Sequence, residues 1–163
     1  MRIDRLELIA YGRFSGKTLD LAAGDCGLHL IYGNNEAGKS TSLRALIAWL
    51  FGIPARTRDS FRHSHQQLRV GGRLRLTDGR TLDFVRRKGI KGTLLRYGSE
   101  EPLDDAVLQP FLPGGIDEKL FSTLWGIDHP RLLPAARNSS TNPVISARRC
   151  SARRWVPPVC AGC

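Results

Sequence analysis

The apolar positions of this chain change period along its length, and the changes mark its elements. Over Lys39 to Phe51, the residues Leu43, Leu46, Ile47, Leu50 and Phe51 fall on one helical face, and Gly52 with Pro54 predicts the stop. Before this helix, "MRIDRLELIAYGRFSGKTLDL" predicts a strand through Ile3, Leu6 and Leu8, a turn near Gly12, and a short second strand ending at Leu21. "LHLIY", residues 28–32, predicts a buried strand that runs straight into Gly33. From Leu68 the period becomes two: Leu74 and Leu76 share one face and Arg73 and Arg75 the other, the chain turns at Asp78-Gly79, and it returns through Leu82 and Phe84. A further strand over 93–97 completes an antiparallel meander. "DDAVLQPFL" and "GGIDEKLFSTLWGID" predict two helical pieces, with Asp104 and Asp117 near their first turns. No internal repeat is visible.

At 163 residues and 41% hydrophobic content, the chain can build one domain with a real core. It has no apolar run of the roughly 18 residues that span a bilayer, and its start alternates charged and apolar residues, so no membrane segment and a cytoplasmic location are expected. The formal net charge of +10 points towards polyanions, but unevenly. Five Arg and no acid lie beyond Leu133, which leaves 20 basic and 15 acidic side chains before it. Cysteine is uneven too: Cys26 stands alone, while Cys150, Cys160 and Cys163 lie in the tail. Cys160 and Cys163 have half of a zinc-site spacing, without a second pair or a suitably spaced histidine. His63 and His65 likewise lack Cys or carboxylate partners nearby and read as a surface loop.

The chemistry concentrates at Gly33-Asn34-Asn35-Glu36-Ala37-Gly38-Lys39-Ser40, which fits G-x-x-x-x-G-K-[ST]. Glycines let successive backbone N–H groups curl around phosphate oxygens, and the helix that follows adds the positive end of its dipole. Lys39 is expected on the β and γ phosphates of ATP, Ser40 on Mg²⁺, and Thr41 as a supporting hydrogen-bonding group. By composition the pattern arises by chance in on the order of 1% of chains this long. A strand before it and an amphipathic helix after it narrow the reading to a nucleoside triphosphate site.

The opening segment, together with "GLHLIYGNNEAGKSTSLRALIAWLFGI", resembles the N-terminal ATPase lobe of the SMC, SbcC and RecF superfamily. Within it the segment is most similar to YhaN-like proteins, where "YG-x-NEAGKST", "FRH" and a segment of the type "LFSTLWGIDHPRL" recur. The resemblance covers residues 1 to 133. It implies an α/β fold of the P-loop NTPase kind, an incomplete ABC-ATPase-like N-terminal lobe with a mixed sheet and an antiparallel meander. In such families two heads sandwich ATP in a head-to-head homodimer, often beside a nuclease subunit and acting on DNA. The C-terminal lobe supplies the signature sequence, the Walker B Asp-Glu pair and a switch histidine. These residues contain no apolar strand ending in Asp-Glu and no Leu-Ser-Gly-Gly. Since hydrolysis needs a carboxylate on Mg²⁺ and another to orient water, ATP binding without turnover is the expectation for this chain alone.

The resemblance further implies a phosphate contact for Arg13, which reads equally as a solvated turn arginine. Where relatives carry a Mg²⁺-sensing glutamine this chain has "GIDHPRL", so Asp128 or His129 is the candidate substitute. The meander's Arg73, Arg75, Arg86, Arg87 and Lys88 are candidates for a DNA-facing surface, against the alternative of a solvated sheet face blunted by charge. Trp49 reads as core or helix-packing surface. Residues 134–163 have no lasting periodicity and are expected to be disordered; GC-rich codon choices for Ala136 onward permit an out-of-frame reading of a head sequence. Two rival readings stand beside the ATPase lobe: a non-enzymatic basic module that binds nucleic acid, and a gene fragment without function.

Overall fold

A computed structural model describes residues 1–23, 28–112 and 116–124. The N-terminal segment forms β1 (Arg2–Tyr11) and β2 (Phe14–Asp20), joined by a turn in which Gly12 has φ 58°. The predicted helix is α1 (Lys39–Phe51), with both ends as the sequence indicated. The meander is β3 (Arg69–Arg75), β4 (Thr81–Arg87) and the short β5 (Leu94–Arg96). Gly79, at φ 90°, makes the turn between β3 and β4. The first predicted helical piece is a single 3₁₀ turn at Asp105–Leu108, capped by Asp104, whose Oδ1 accepts from the Ala106 N–H at 2.9 Å. The second is α2 (Glu118–Leu124), where the Asp117 carboxylate accepts from Leu120 N–H at 2.7 Å.

The strands form one five-stranded sheet in the order β2-β1-β3-β4-β5, antiparallel at every pairing. A mixed sheet was the expectation, and the difference lies in residues 28–32. That segment is not a strand: Leu28, Leu30 and Tyr32 are 86%, 89% and 88% exposed. A strand exists only by pairing its backbone groups, and residues 28–32 pair with none of the five strands. Strand β1 also carries a bulge: Ile3 pairs with Leu74 and Arg5 with Arg73, so Asp4 is an extra residue with no counterpart on β3. The tail from 134 onward, and with it Cys26, Asp128 and His129, lies outside the described residues; among those described no helix is long and apolar enough to cross a membrane.

Helix α1 packs on one face of the sheet through part of the aliphatic stripe that its periodicity suggested, with Leu50 buried and Leu46 and Phe51 packed against the core. Ser42, Ala45, Ala48, Trp49 and Leu50 are its buried residues, whereas Leu43, Leu46 and Ile47 are half-buried. Small residues face the strands because Trp49 fills the space between helix and sheet. Its ring stacks on Phe84 with centroids 4.6 Å apart and planes 12° apart, and its Nε1–H donates to the Phe84 carbonyl at 3.3 Å. Gly72 leaves the room: a Cβ there would lie 2.7 Å from Trp49 Cζ2 and 2.4 Å from the Arg5 carbonyl. Leu6, Leu8, Val70, Leu74 and Leu94 complete this core.

Arg86, expected on the outward face of the meander, is instead only 3% exposed. Its guanidinium donates to the carbonyls of Trp49 (3.3 Å) and Leu50 (3.1 Å), to Thr93 Oγ1 (3.1 Å) and to Asp105 Oδ1 (2.7 Å). The last turn of α1 has no basic residue of its own, so β4 supplies the positive charge that its carbonyl end favours. On the opposite face of the sheet the arginines are paired. Arg73 meets Asp83 at 2.8 Å, Arg75 meets Asp4 at 2.8 Å, and Arg5 bridges Glu7 at 2.7 Å and Asp83 at 3.4 Å.

Gly72→Ala is expected to lower the unfolding free energy by about 3 kcal/mol, because both backbone and a packed indole stand in the way of the methyl. Gly71→Ala, whose new Cβ would meet only side-chain atoms at 3.3 Å or more, should cost less than half as much in the same urea titrations. A second expectation concerns Tyr11, whose phenol is pushed up to about 12 by burial and by the charge of Asp59. An unfolded tyrosine titrates near 10, so between pH 10 and 12 the unfolded chain holds fewer protons and stability falls as pH rises. Ultraviolet titration should find one of the three tyrosines ionising last, and Tyr11→Phe should remove both that step and its share of the alkaline loss.

Candidate nucleotide-binding site

The loop over 33–38 leaves the exposed 28–32 segment and enters α1 directly. Two of its residues take the left-handed backbone region, Glu36 at φ 65° and Gly38 at φ 101°, and the Ala37 N–H donates to the Asn34 carbonyl at 3.1 Å. Both motif glycines are required by contact, and Gly38 by torsion as well. A Cβ on Gly33 would lie 2.9 Å from Ala37 Cβ, and one on Gly38 would lie 2.3 Å from the Phe14 ring. The loop therefore curls tightly against the β1–β2 turn.

Gly38 is the N-cap of α1 and offers no side-chain acceptor to the first turn, which also contains no acid. The N–H groups and positive dipole end of that turn thus face outward, as an anion site requires. Lys39 folds back over the loop, its ammonium 2.6 Å from the Gly33 carbonyl and 2.9 Å from the Asn34 carbonyl. Lys39 and Ser40 are exposed and Thr41 is half-buried. Asn34, Asn35, Glu36 and Ala37 lie along the same rim. Arg13 comes to this loop from the β1–β2 turn, its guanidinium donating to the Glu36 carbonyl. Sequence spacing placed Arg13 on a turn; only the fold brings that turn to the loop.

The loop's chemistry suits phosphate: a helix start with no capping side chain and no acid in its first turn stands behind it, and an ammonium already rests on the carbonyls at its mouth. For Mg²⁺, the Ser40 hydroxyl stands on the first turn beside it; Asp128, the other candidate, lies outside the described residues. Among the described residues no cluster of three His, Cys, Asp or Glu could hold a metal by itself. His63 instead supports the β1–β2 turn, with its Nε2 lying 2.8 Å from the Phe14 carbonyl oxygen and 3.2 Å from Ser15 Oγ. Arg62 donates to the Arg13 carbonyl at 3.1 Å, so the "FRH" segment braces the turn that carries Arg13 and Phe14.

The candidate DNA contacts do not gather into one free surface. Arg73 and Arg75 face outward in ion pairs with Asp83 and Asp4. Arg87 donates to the Gly92 carbonyl at 3.0 Å, Lys88 reaches the carbonyls of Pro54 and Ala55 at 2.7 Å each, and Arg86 is buried under α1. Sequence reasoning missed Phe14, whose ring shapes the loop at Gly38, and the pair Arg44 and Asp59 behind Thr41. The signal for Asp59 was present, since it is the one acid between Glu36 and Asp78.

Comparison with known proteins gives one curated relative and one family model. Over 54 residues the chain is 43% identical to the uncharacterized protein YhaN of Bacillus subtilis (strain 168), a stretch that is 33% of this chain but 5% of that protein. The chain therefore spans only a small part of the relative it matches. No solved structure matches it. A family model described as an AAA domain matches residues 1–139. With that match extending over most of its length, the chain belongs to the AAA domain family.

Proposed function

We propose that this chain is the Mg-ATP-binding N-terminal part of an ATPase head of the SbcC, SMC and YhaN kind. The observation that carries the reading is the loop over 33–38 itself: Gly38 in the left-handed region, an open helix start behind it, and Lys39 resting on the carbonyls at its mouth. Phosphates entering the cradle draw the Lys39 ammonium off those carbonyls and onto the β and γ oxygens. The N–H groups of the loop and of the first turn of α1 take the remaining charge. Ser40 contributes its hydroxyl to the Mg²⁺ that accompanies the nucleotide, and Arg13 adds a second positive group from the β1–β2 turn.

Hydrolysis is a separate matter. It requires a carboxylate beside the metal and a group to orient water, and both fall to a C-terminal lobe that completes the head. Residues 28–32 support that assignment, because an apolar segment directly ahead of the phosphate loop has no strand partner among the described residues. A strand from the completing lobe would satisfy its backbone and cover Leu28, Leu30 and Tyr32. Engagement of two heads, a nuclease subunit and action on DNA come with the family resemblance and belong to the whole protein.

Calorimetry with Mg-ATP tests the reading. The unsubstituted chain is expected to bind, and Lys39→Ala to weaken binding by about 100-fold, the size of one charge-assisted phosphate contact. Phosphate release measured in the same samples should stay near the uncatalysed rate. Rapid turnover by the chain alone would overturn the division of labour, and absence of binding would overturn the site.

A further inference from the structure

The residues that brace the phosphate loop from behind lie outside its motif. Asp59 belongs to the connection between α1 and β3 and is only 2% exposed. A buried carboxylate needs partners of opposite charge with good geometry. Arg44 provides them: its Nε donates to Oδ2 at 2.8 Å and its Nη2 to Oδ1 at 2.6 Å. The same Nη2 also donates to Thr41 Oγ1 at 3.1 Å. Thr41 stands two positions beyond Lys39, on the first turn of α1.

A second route leads from Asp59 to the same threonine. The backbone carbonyl of Asp59 accepts from Gly12 N–H at 2.8 Å, and Gly12 lies so close to Thr41 that a Cβ would stand 2.5 Å from its Cγ2. Thr41 is thus held between the β1–β2 turn on one side and the Arg44 fork on the other. Asp59 anchors both.

We infer that Asp59 is a positioning residue for the nucleotide site, fixing through Arg44 the orientation of Thr41 and of the first turn of α1. This rests on the nucleotide reading above. The physical reason is preorganisation. A guanidinium gripped by two carboxylate oxygens cannot rotate, so its third contact holds the threonine hydroxyl in one direction before any phosphate arrives. Without Asp59 the fork loses its two-oxygen grip and the helix start loses that restraint. Coupling is reciprocal: a phosphate that orders the first turn also tightens the connection that carries Asp59.

The test uses the full chain, with Mg-ATP affinity measured by calorimetry for Asp59→Asn, Thr41→Val and the double variant, each verified as folded by circular dichroism. Asp59→Asn is expected to weaken binding about tenfold, as for one lost hydrogen bond to a charged group. In the Thr41→Val background the same substitution should cost nothing further, because its effect runs through that hydroxyl. A folded Asp59→Asn chain that binds like the unsubstituted one overturns the inference, as does an equal loss in both backgrounds. If Asp59→Asn does not fold, Arg44→Lys replaces it: the charge opposite Asp59 stays, but a single ammonium has no fork to reach Thr41 as well. The same tenfold, non-additive loss is expected, and unchanged affinity overturns the inference. Failure of the unsubstituted chain to bind overturns the nucleotide reading and this inference with it, whereas intact binding that survives the variants overturns the inference alone.

Discussion

An indole laid flat on a sheet depends on an empty place beneath it. Trp49 reaches Phe84 because Gly72, on the central strand, presents no side chain. That single contact sets the distance between α1 and the strands, and with it the position of everything at the start of α1. The same helix carries at its start the close approaches of Gly38 to Phe14 and of Thr41 to Gly12, so the steric demands of the phosphate loop and of the core fall on one rigid element.

Charge then serves this packing more than it serves a surface. Arg86 leaves the outward pattern of the meander to satisfy the last carbonyls of α1, and the burial of its guanidinium is tolerable only because four acceptors surround it. Arg44 acts in the corresponding way near the other end, where Asp59 balances it. Across the sheet, Arg73, Arg75 and Arg5 meet Asp83, Asp4 and Glu7. The arginine ends of these pairs are part-exposed while the acids are largely covered, and their joint effect is to cancel a positive field that composition alone would suggest.

The phosphate loop and the segment that leads into it differ in completeness. The cradle around Gly38 is braced from the β1–β2 turn, from Arg44 and from the "FRH" segment, and its geometry suits phosphate. The approach to it through Leu28, Leu30 and Tyr32 is apolar and uncovered. An anion site needs only local backbone and one helix, whereas an apolar strand needs neighbours.

Local rules account for what the sequence determined by itself. The limits of α1, the two strand pairs, the turn at Gly79, the caps at Asp104 and Asp117 and the phosphate loop all follow from torsions and spacings within a few residues. Tertiary structure decided whatever depends on partners distant in the chain. That the buried face of α1 extends past Leu50 to Ser42, Ala45, Ala48 and Trp49 was settled by the size of Trp49 against a missing Cβ. Whether residues 28–32 form a strand depended on a pairing partner that none of the five strands supplies, and whether Arg86 faces water on the carbonyls it could reach. Arg44 and Asp59 are fifteen residues apart, a separation that no helical or strand period connects, so only folding could bring that pair behind Thr41.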